Sequence, residues 1–351
     1  MQRIKSLQHS LAAKGLSALL VSNPPNVRYL CGFRGSNGRL LITPKKATLI
    51  TDFRYLRSAR KQLPRTVGLF DQKDGFKSLL KRFNSLGFED LHLSYAFFKK
   101  LKKEIPETRL RPADGLVQAL RVIKDPEEIR VMREACRIAD ECLERLLKTI
   151  RVGVSEDELE WNLLSIARGL GADGFSFPPI ICFGKNTADV HHAKEPNRLK
   201  KGESILIDMG IEYRGTMTDM TRVFFTRKPT AIEQKMYSIV LEANQKASQA
   251  IRLGKNAAEI DRAARAVIEQ AGYGKQFGHS TGHGVGLEVH EAPSISEKSK
   301  EVIRAGMVFT IEPGVYLNRV GGVRIEDMIL VKEKGIEVLT RFLKEMRVIE
   351  I

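Results

Sequence analysis

The chain of 351 residues has only four cysteines, one tryptophan and no long apolar run. Cys31, Cys136, Cys142 and Cys182 show no Cys-x-x-Cys spacing. A disulfide framework is thereby excluded, and the four read as small buried residues of a reducing compartment. No stretch approaches the roughly 20 apolar residues of a membrane span. Near the start, Leu7 to Leu20 is interrupted by His9, Ser10, Lys14 and Gly15. A secretion signal with a clean apolar centre is therefore not expected, and the expected location is cytoplasmic. Acid is the scarcer charge: 42 Asp and Glu face 58 Lys and Arg, a net charge of +16. Basic clusters occur at Lys99-Lys100-Leu101-Lys102-Lys103, at Arg198-Leu199-Lys200-Lys201, and around Arg57, Arg60 and Lys61. No aromatic-interleaved basic motif or recognition helix accompanies them. The charge therefore reads as solvated faces set by compositional bias or an acidic environment, and nucleic acid is not an expected partner.

What is present is more telling. The length allows one large domain or two ordinary ones, and 42% hydrophobic residues suit a soluble globular enzyme. Three C-terminal blocks place acids where acids are costly. Ile205-Leu206-Ile207 lead into Asp208, Phe309-Thr310-Ile311 into Glu312, and Val323-Arg324-Ile325 into Glu326. Such apolar, β-branched runs read as buried strands. A carboxylate inside them must be paired, protonated or metal-bound. With Asp219 and His283 these acids form a hard, oxygen-rich ligand set that suits two divalent ions.

The chain also repeats itself. Gly202 to Ile211 matches Gly306 to Val315 at an offset of 104 residues, which superposes Asp208 on Glu312. Arg151 to Leu159 echoes Arg252 to Ile260 at an offset of 101. Asp219 falls opposite Glu326 at 107, and His191 opposite His290 at 99. A chance repeat of apolar strands would align hydrophobic residues and have little reason to align acids. Two similar halves thus supply two acids and one further histidine each to a shared centre.

The first 120 residues alternate strands (Ala18–Val21, Leu40–Thr43, Ala47–Thr51) with helices (Gln2–Lys14, about Arg54–Gln62, Gly75–Leu86), which predicts a layered α/β domain over 1–120. Asn23-Pro24-Pro25 reads as a turn opening a short helix. A boundary is expected near Arg121 to Lys124, with a second domain over 121–351. Helix starts with Glu at the third position occur at Asp125, Ser155, Thr230 and Asn256. Strands are expected at about 179–183, 204–212, 220–226, 307–316 and 323–332. Helices covering one face of a curved antiparallel sheet would leave the acids on its other, concave face. Asp208 and Asp219, eleven apart across Gly210 and Gly215, can share the face of a hairpin near its mouth. Glu312 and Glu326, fourteen apart across Gly314, Gly321 and Gly322, repeat that arrangement. His283 lies in a glycine-rich stretch from Gly278 to Gly286, whose glycines let backbone crowd a site. A two-metal centre of this type implies hydrolysis.

These blocks resemble the pita-bread metallopeptidases, which include methionine aminopeptidase, prolidase and aminopeptidase P. The resemblance implies a creatinase-like N-terminal domain and a pseudo-two-fold catalytic domain. It implies that Asp208, Asp219, His283, Glu312 and Glu326 bind two ions, manganese first, with cobalt or zinc as alternatives. It also implies Glu312 as general base toward the bridging water and His191 and His290 as groups that hold substrate and assist proton transfer. His279, Tyr316 and Arg324 match further site residues, and Phe177 matches an aromatic wall of the proline pocket. The N-terminal domain argues against methionine aminopeptidase, and the intact ligands argue against creatinase. Asp52-Phe53-Arg54-Tyr55 resembles the Asp-x-Arg-Tyr motif of small bacterial aminopeptidases P. No insertion of the kind that restricts prolidases to dipeptides is evident. The expected activity is therefore removal of the N-terminal residue from Xaa-Pro-Yaa peptides, with Xaa-Pro dipeptidase as the alternative and a homodimer as the assembly. A non-catalytic nucleic-acid-binding protein on the same fold is more remote, because no ligand position is lost. Thr216, Val190 and His192 depart from the family's usual Tyr, Pro and single histidine, which bears on substrate preference.

Overall fold

Strands in the first third of the chain run mostly parallel. A computed structural model describes residues 2–351, and the chain divides into two units, one ending at Arg121 and the other beginning at Val122. The first unit runs α1 (Gln2–Ala13), β1 (Ala18–Val21), α2 (Pro24–Cys31), β2 (Gly38–Ile42), β3 (Ala47–Thr51), α3 (Phe53–Gln62) and β4 (Val67–Asp71). It continues with α4 (Phe76–Leu80), β5 (Ser85–Phe88), α5 (Tyr95–Glu104), β6 (Arg109–Pro112) and α6 (Leu116–Arg121). The sheet order is β4-β3-β2-β1-β5-β6, with β2 antiparallel to both neighbours and the other strands parallel. Leu80 of α4 and Leu101 of α5 bury against Leu20, Leu41, Ile50 and Leu86 of the sheet. Three strands, β4, β5 and β6, escaped the periodicity reading: β4 and β6 are partly exposed edge strands, one holding Gly68 and the other Arg109, Arg111 and Pro112, and β5 is a four-residue run interrupted by Gly87. The helix expected over Gly75–Leu86 stops at Leu80, because Ser85-Leu86-Gly87-Phe88 is taken into the sheet beside β1.

The second unit opens with α7 (Pro126–Leu147) and α8 (Glu156–Gly169), then β7 (Gly174–Phe175), β8 (Ile180–Phe183), β9 (Ser204–Met209), β10 (Ile211–Tyr213), β11 (Thr216–Met217) and β12 (Met220–Phe225). A second pair of helices, α9 (Ala231–Ala250) and α10 (Ala257–Gln270), precedes β13 (Gly282–Gly284), β14 (Glu291–Ile295), β15 (Val308–Ile311), β16 (Gly314–Leu317), β17 (Gly321–Arg324), β18 (Asp327–Val331), β19 (Ile336–Val338) and β20 (Arg347–Val348). All four helices start in complete capping boxes, at Asp125, Ser155, Thr230 and Asn256. The cap side chain satisfies otherwise orphaned backbone N–H groups, and each such cap contributes about 1 kcal/mol.

The two halves build matching sheets. One has the order β20-β12-β9-β8, in which β8, β9 and β12 are antiparallel; the other, β14-β13-β15-β18-β19, is antiparallel throughout. Apolar residues of α7 and α8, among them Leu143, Leu146, Leu159 and Leu163, pack on Ile181, Ile205, Ile207 and Phe224. Those of α9 and α10, among them Val240, Ala243, Ile260 and Ala264, pack with Phe309, Ile311, Ile325 and Ile329. Three expected strands are each broken in two. The 204–212 run breaks at Gly210, 307–316 at Glu312-Pro313, and 323–332 at Ile325-Glu326. Proline lacks the N–H that a ladder needs. A Cβ at Gly210 would collide with the Thr218 carbonyl and the Ser176 hydroxyl, so only glycine lets the chain pass there. The breaks leave Glu312 and Glu326 outside regular pairing, whereas Asp208, two residues before the break at Gly210, stays paired in β9.

Candidate metal centre

Asp208 lies in β9, directly opposite Thr221 of β12, and Asp219 sits just before β12 begins. Glu312 follows the last residue of β15, and Glu326 precedes β18, where Ile311 pairs with Asp327. His283 is the central residue of β13. A Cβ at its neighbour Gly282 would strike the Thr310 carbonyl, so glycine permits β13 to lie against β15 at this depth. From these strands the five side chains converge. One ligand-type atom each of Asp219, His283 and Glu326 lies within 4.8 Å of the others. His283 Nε2 is 3.3 Å from Glu312 Oε1 and 3.6 Å from Asp219 Oδ2. The other ring nitrogen, Nδ1, lies 3.2 Å from the Gly284 carbonyl. Donation of Nδ1–H there leaves Nε2 as a lone pair facing the acids, the orientation that a metal ligand needs.

Asp208 joins through Arg324, which is 3% exposed. Arg324 Nη2 donates to Asp208 Oδ2 at 2.6 Å, Nη1 to the Tyr316 hydroxyl at 2.9 Å, and Nε to Thr221 Oγ1 at 3.0 Å. Thr221 donates in turn to Glu326 Oε2 at 2.7 Å. The Tyr316 hydroxyl, 2.9 Å from His279 Nε2, therefore gives its proton to that nitrogen, since Arg324 can only donate. His279 Nδ1 lies 2.8 Å from the Ser280 carbonyl, which completes a neutral imidazole; burial is also the first cause that holds this histidine below its ordinary pKa. Burial pushes the Tyr316 phenol up to about 12.

Crowding of acids dominates the electrostatics. Asp219 and Glu326 are pushed well above the carboxylate range, first by burial and then by neighbouring carboxylates. Asp208 is raised by burial against the pull of Arg324. For Glu312, burial is outweighed by the hydrogen bond and charge of His283, which hold the carboxyl below its usual value. For His283, burial is likewise outweighed by Glu312, and the imidazole is raised. Asp208 Oδ1 is buried without a hydrogen-bond partner. A buried carboxylate oxygen with no donor is costly, and its neighbours in the cluster are other acids. Divalent cations answer both features at once, so the donor set fits a pair of hard metal ions.

The remaining candidates surround this cluster. The His290 ring lies 4.2 Å from that of His283, centroid to centroid. Burial first, then the charges of His283 and His191, hold His290 below its ordinary value. His191 lies on an exposed segment after β8, and Phe177 follows β7, where it would touch a Cβ placed on Gly210. The Asp-x-Arg-Tyr motif has a local use: Asp52 caps α3 and accepts Arg54 Nε at 2.9 Å and Nη2 at 2.8 Å. Sequence reasoning missed Thr221 and Thr310. Thr310 Oγ1 donates to Glu312 Oε1 at 3.2 Å and accepts the His283 N–H at 3.0 Å. Its position two residues before Glu312 on one strand was the available signal, because alternate residues share a face. Also missed was the buried pair Arg222–Asp327, 2.7 Å apart, in which Arg222 further donates to the Glu326 carbonyl.

A model of metallopeptidase family M24 matches residues 130–333, and one of the creatinase/prolidase N-terminal domain matches residues 3–123. The Xaa-Pro dipeptidase of Pyrococcus horikoshii is 35% identical over 98% of this chain and 98% of its own. A solved Xaa-Pro dipeptidase from Bacillus anthracis is 37% identical with a TM-score of 0.96, covering 99% of each chain. A solved X-Pro aminopeptidase from Thermotoga maritima is 32% identical with a TM-score of 0.89, covering 97% of this chain and 99% of its own.

Proposed function

The chain belongs to metallopeptidase family M24, and from that membership we propose that it is an Xaa-Pro peptidase acting chiefly as a dipeptidase. The observation that carries the preference is full-length similarity, at 35% and 37% identity, to proteins named Xaa-Pro dipeptidase. The aminopeptidase reading leaned on Asp52-Phe53-Arg54-Tyr55, and the mutual engagement of Asp52 and Arg54 at the start of α3 gives that motif a structural reason to exist.

Asp208, Asp219, His283, Glu312 and Glu326 are the residues we assign to two divalent ions, with manganese as the metal of choice. Bound there, such a pair acidifies a water and polarises the scissile carbonyl. The Glu312 carboxylate takes the proton from the attacking water. His191 and His290 hold the peptide and return a proton to the departing proline nitrogen. That nitrogen carries no hydrogen in the substrate, so proline cannot be gripped through a backbone N–H. Phe177, His290 and Tyr316 form the wall that selects the pyrrolidine ring instead. The Arg324–Tyr316–His279 relay and Thr221 hold Asp208 and Glu326 in place. The assembly we propose is a homodimer, which light scattering on the purified protein checks.

Hydrolysis of Ala-Pro, Ala-Pro-Ala and Ala-Ala-Ala with added Mn²⁺ tests the reading. Cleavage of Ala-Pro well ahead of the other two is expected. Faster release of alanine from Ala-Pro-Ala makes the protein an aminopeptidase P, and equal cleavage of Ala-Ala-Ala removes proline selectivity altogether.

A further inference from the structure

The net charge of +16 is not spread over the chain. Residues 1–121 hold 24 Lys and Arg against 8 Asp and Glu, whereas residues 122–351 hold 34 of each. The whole excess therefore lies in the first unit. A compositional bias or an acidic environment would act on both units, so the segregation removes the solvated-face explanation drawn from whole-chain composition.

Within the first unit the charges are also sorted by position along the sheet. Six of its eight acids, Asp52, Asp71, Asp74, Glu89, Asp90 and Asp114, lie at or just past the C-terminal ends of parallel strands. At the opposite end, the segments leading into β1, β3, β4, β5 and β6 carry Lys14, Lys45, Lys46, Arg60, Lys61, Arg65, Lys81, Arg82, Lys102, Lys103 and Arg109. All eleven are exposed, and among the described residues none of them forms an ion pair with an acid. Favourable placement at helix C-termini accounts for Lys14, Arg60, Lys61, Lys81, Arg82, Lys102 and Lys103. It does not reach Lys45, Lys46, Arg65 or Arg109, and it does not explain why only Glu104 and Glu107, of the unit's eight acids, lie among them. Crowded like charges oppose the compact state unless a counter-charged partner offsets them.

We propose that this end of the N-terminal sheet binds the phosphate backbone of nucleic acid without reading its sequence. Six strands about 4.8 Å apart give an edge about 24 Å wide, the length of about seven base pairs. An anionic membrane is the other polyanion to weigh. Stable adsorption to a bilayer wants apolar side chains beside the cations. The exposed apolar residues of this unit, Phe53, Leu91 and Tyr95, instead follow the C-terminal ends of β3 and β5, at the acidic end. This proposal is independent of the peptidase reading.

The test measures binding of full-length protein to a labelled DNA duplex and an RNA strand of about 20 nucleotides, from about 50 to about 200 mM salt. With six or more phosphates engaged, the wild-type affinity should fall by about a thousandfold or more over that range. The variant Lys45→Glu, Lys46→Glu, Lys81→Glu, Arg82→Glu should flatten the slope of log affinity against log salt on the duplex by about 3.6, four contacts at about 0.9 each. Replacement of the same four by Gln should act in the same direction. Hydrolysis of Ala-Pro should stay at the wild-type value in both, since all four side chains are exposed. Reversal of Lys298, Lys300, Lys332 and Lys334 in the second unit should leave the slope alone. An equal effect from that control set, or an unchanged slope in both N-terminal variants, overturns the proposal. Binding to phosphatidylserine vesicles but to neither nucleic acid also overturns it, in favour of a membrane.

Discussion

Glu312 is asked to do two things, hold an ion and take a proton, and a single substitution separates them. In Glu312→Gln the amide keeps one oxygen for a metal but cannot accept the water's proton. Turnover of Ala-Pro should fall by about two or more orders of magnitude with KM little changed, as steady-state kinetics at saturating Mn²⁺ would show. Retention of most of kcat would remove the general-base role. At this scale much of the site could be read beforehand, because buried acids are rare enough in apolar runs to stand out, and the internal repeat ties them together in pairs. What stayed hidden are residues of ordinary type. Thr221 and Thr310 are common in strands, and nothing in their identity announces that one bridges Arg324 to Glu326 and the other touches both His283 and Glu312.

Elements in the catalytic unit follow from local signals: four capping boxes set the starts of α7 to α10, and apolar runs set β8, β9, β12, β15 and β18. Where the acids lie, strand continuity gives way to breaks, because geometry at the centre overrides propensity. In the N-terminal unit, β4, β5 and β6 are short and hold Gly68, Gly87 and Pro112, with two arginines in β6, so neither an apolar run nor a clear alternation marks them, which is why they were not visible. The tight passages carry their own prediction. In Gly282→Ala the new methyl group meets a backbone carbonyl of β15, which cannot rotate away. The change should cost about 1–3 kcal/mol by overpacking and displace His283, the next residue, lowering Mn²⁺ affinity. Denaturant titration and metal titration on the same variant measure the two effects. Wild-type values for both would show that β13 has room to move.

Across the whole molecule, metal, charge and stability are linked. In metal-free protein, Asp219 and Glu326 keep protons that the unfolded chain releases near its ordinary carboxylate pKa, so their folded-state pKa values are raised. Stability from such groups is present at low pH and is lost as pH rises toward the folded values. His283, also raised, adds to the loss as pH climbs through its own folded value. Glu312, depressed, contributes stability that is lost only on acidification. His279 and His290, held below their ordinary value, instead gain stability as pH rises to about 6.5 and add nothing above it, so the melting temperature of chelator-treated protein should fall from about pH 7 to about pH 8.5. The rise on adding Mn²⁺ should be larger at the higher pH, because ligands must be deprotonated to bind. An equal rise at both pH values would contradict this. Metal stoichiometry coupled to activity decides whether the five side chains hold two ions. Chelator-treated wild type should be inactive on Ala-Pro and recover as Mn²⁺ is titrated to two ions per chain, while Asp219→Ala stays folded, binds fewer and does not recover. Full activity without divalent ions, or wild-type activity in Asp219→Ala, would contradict the account.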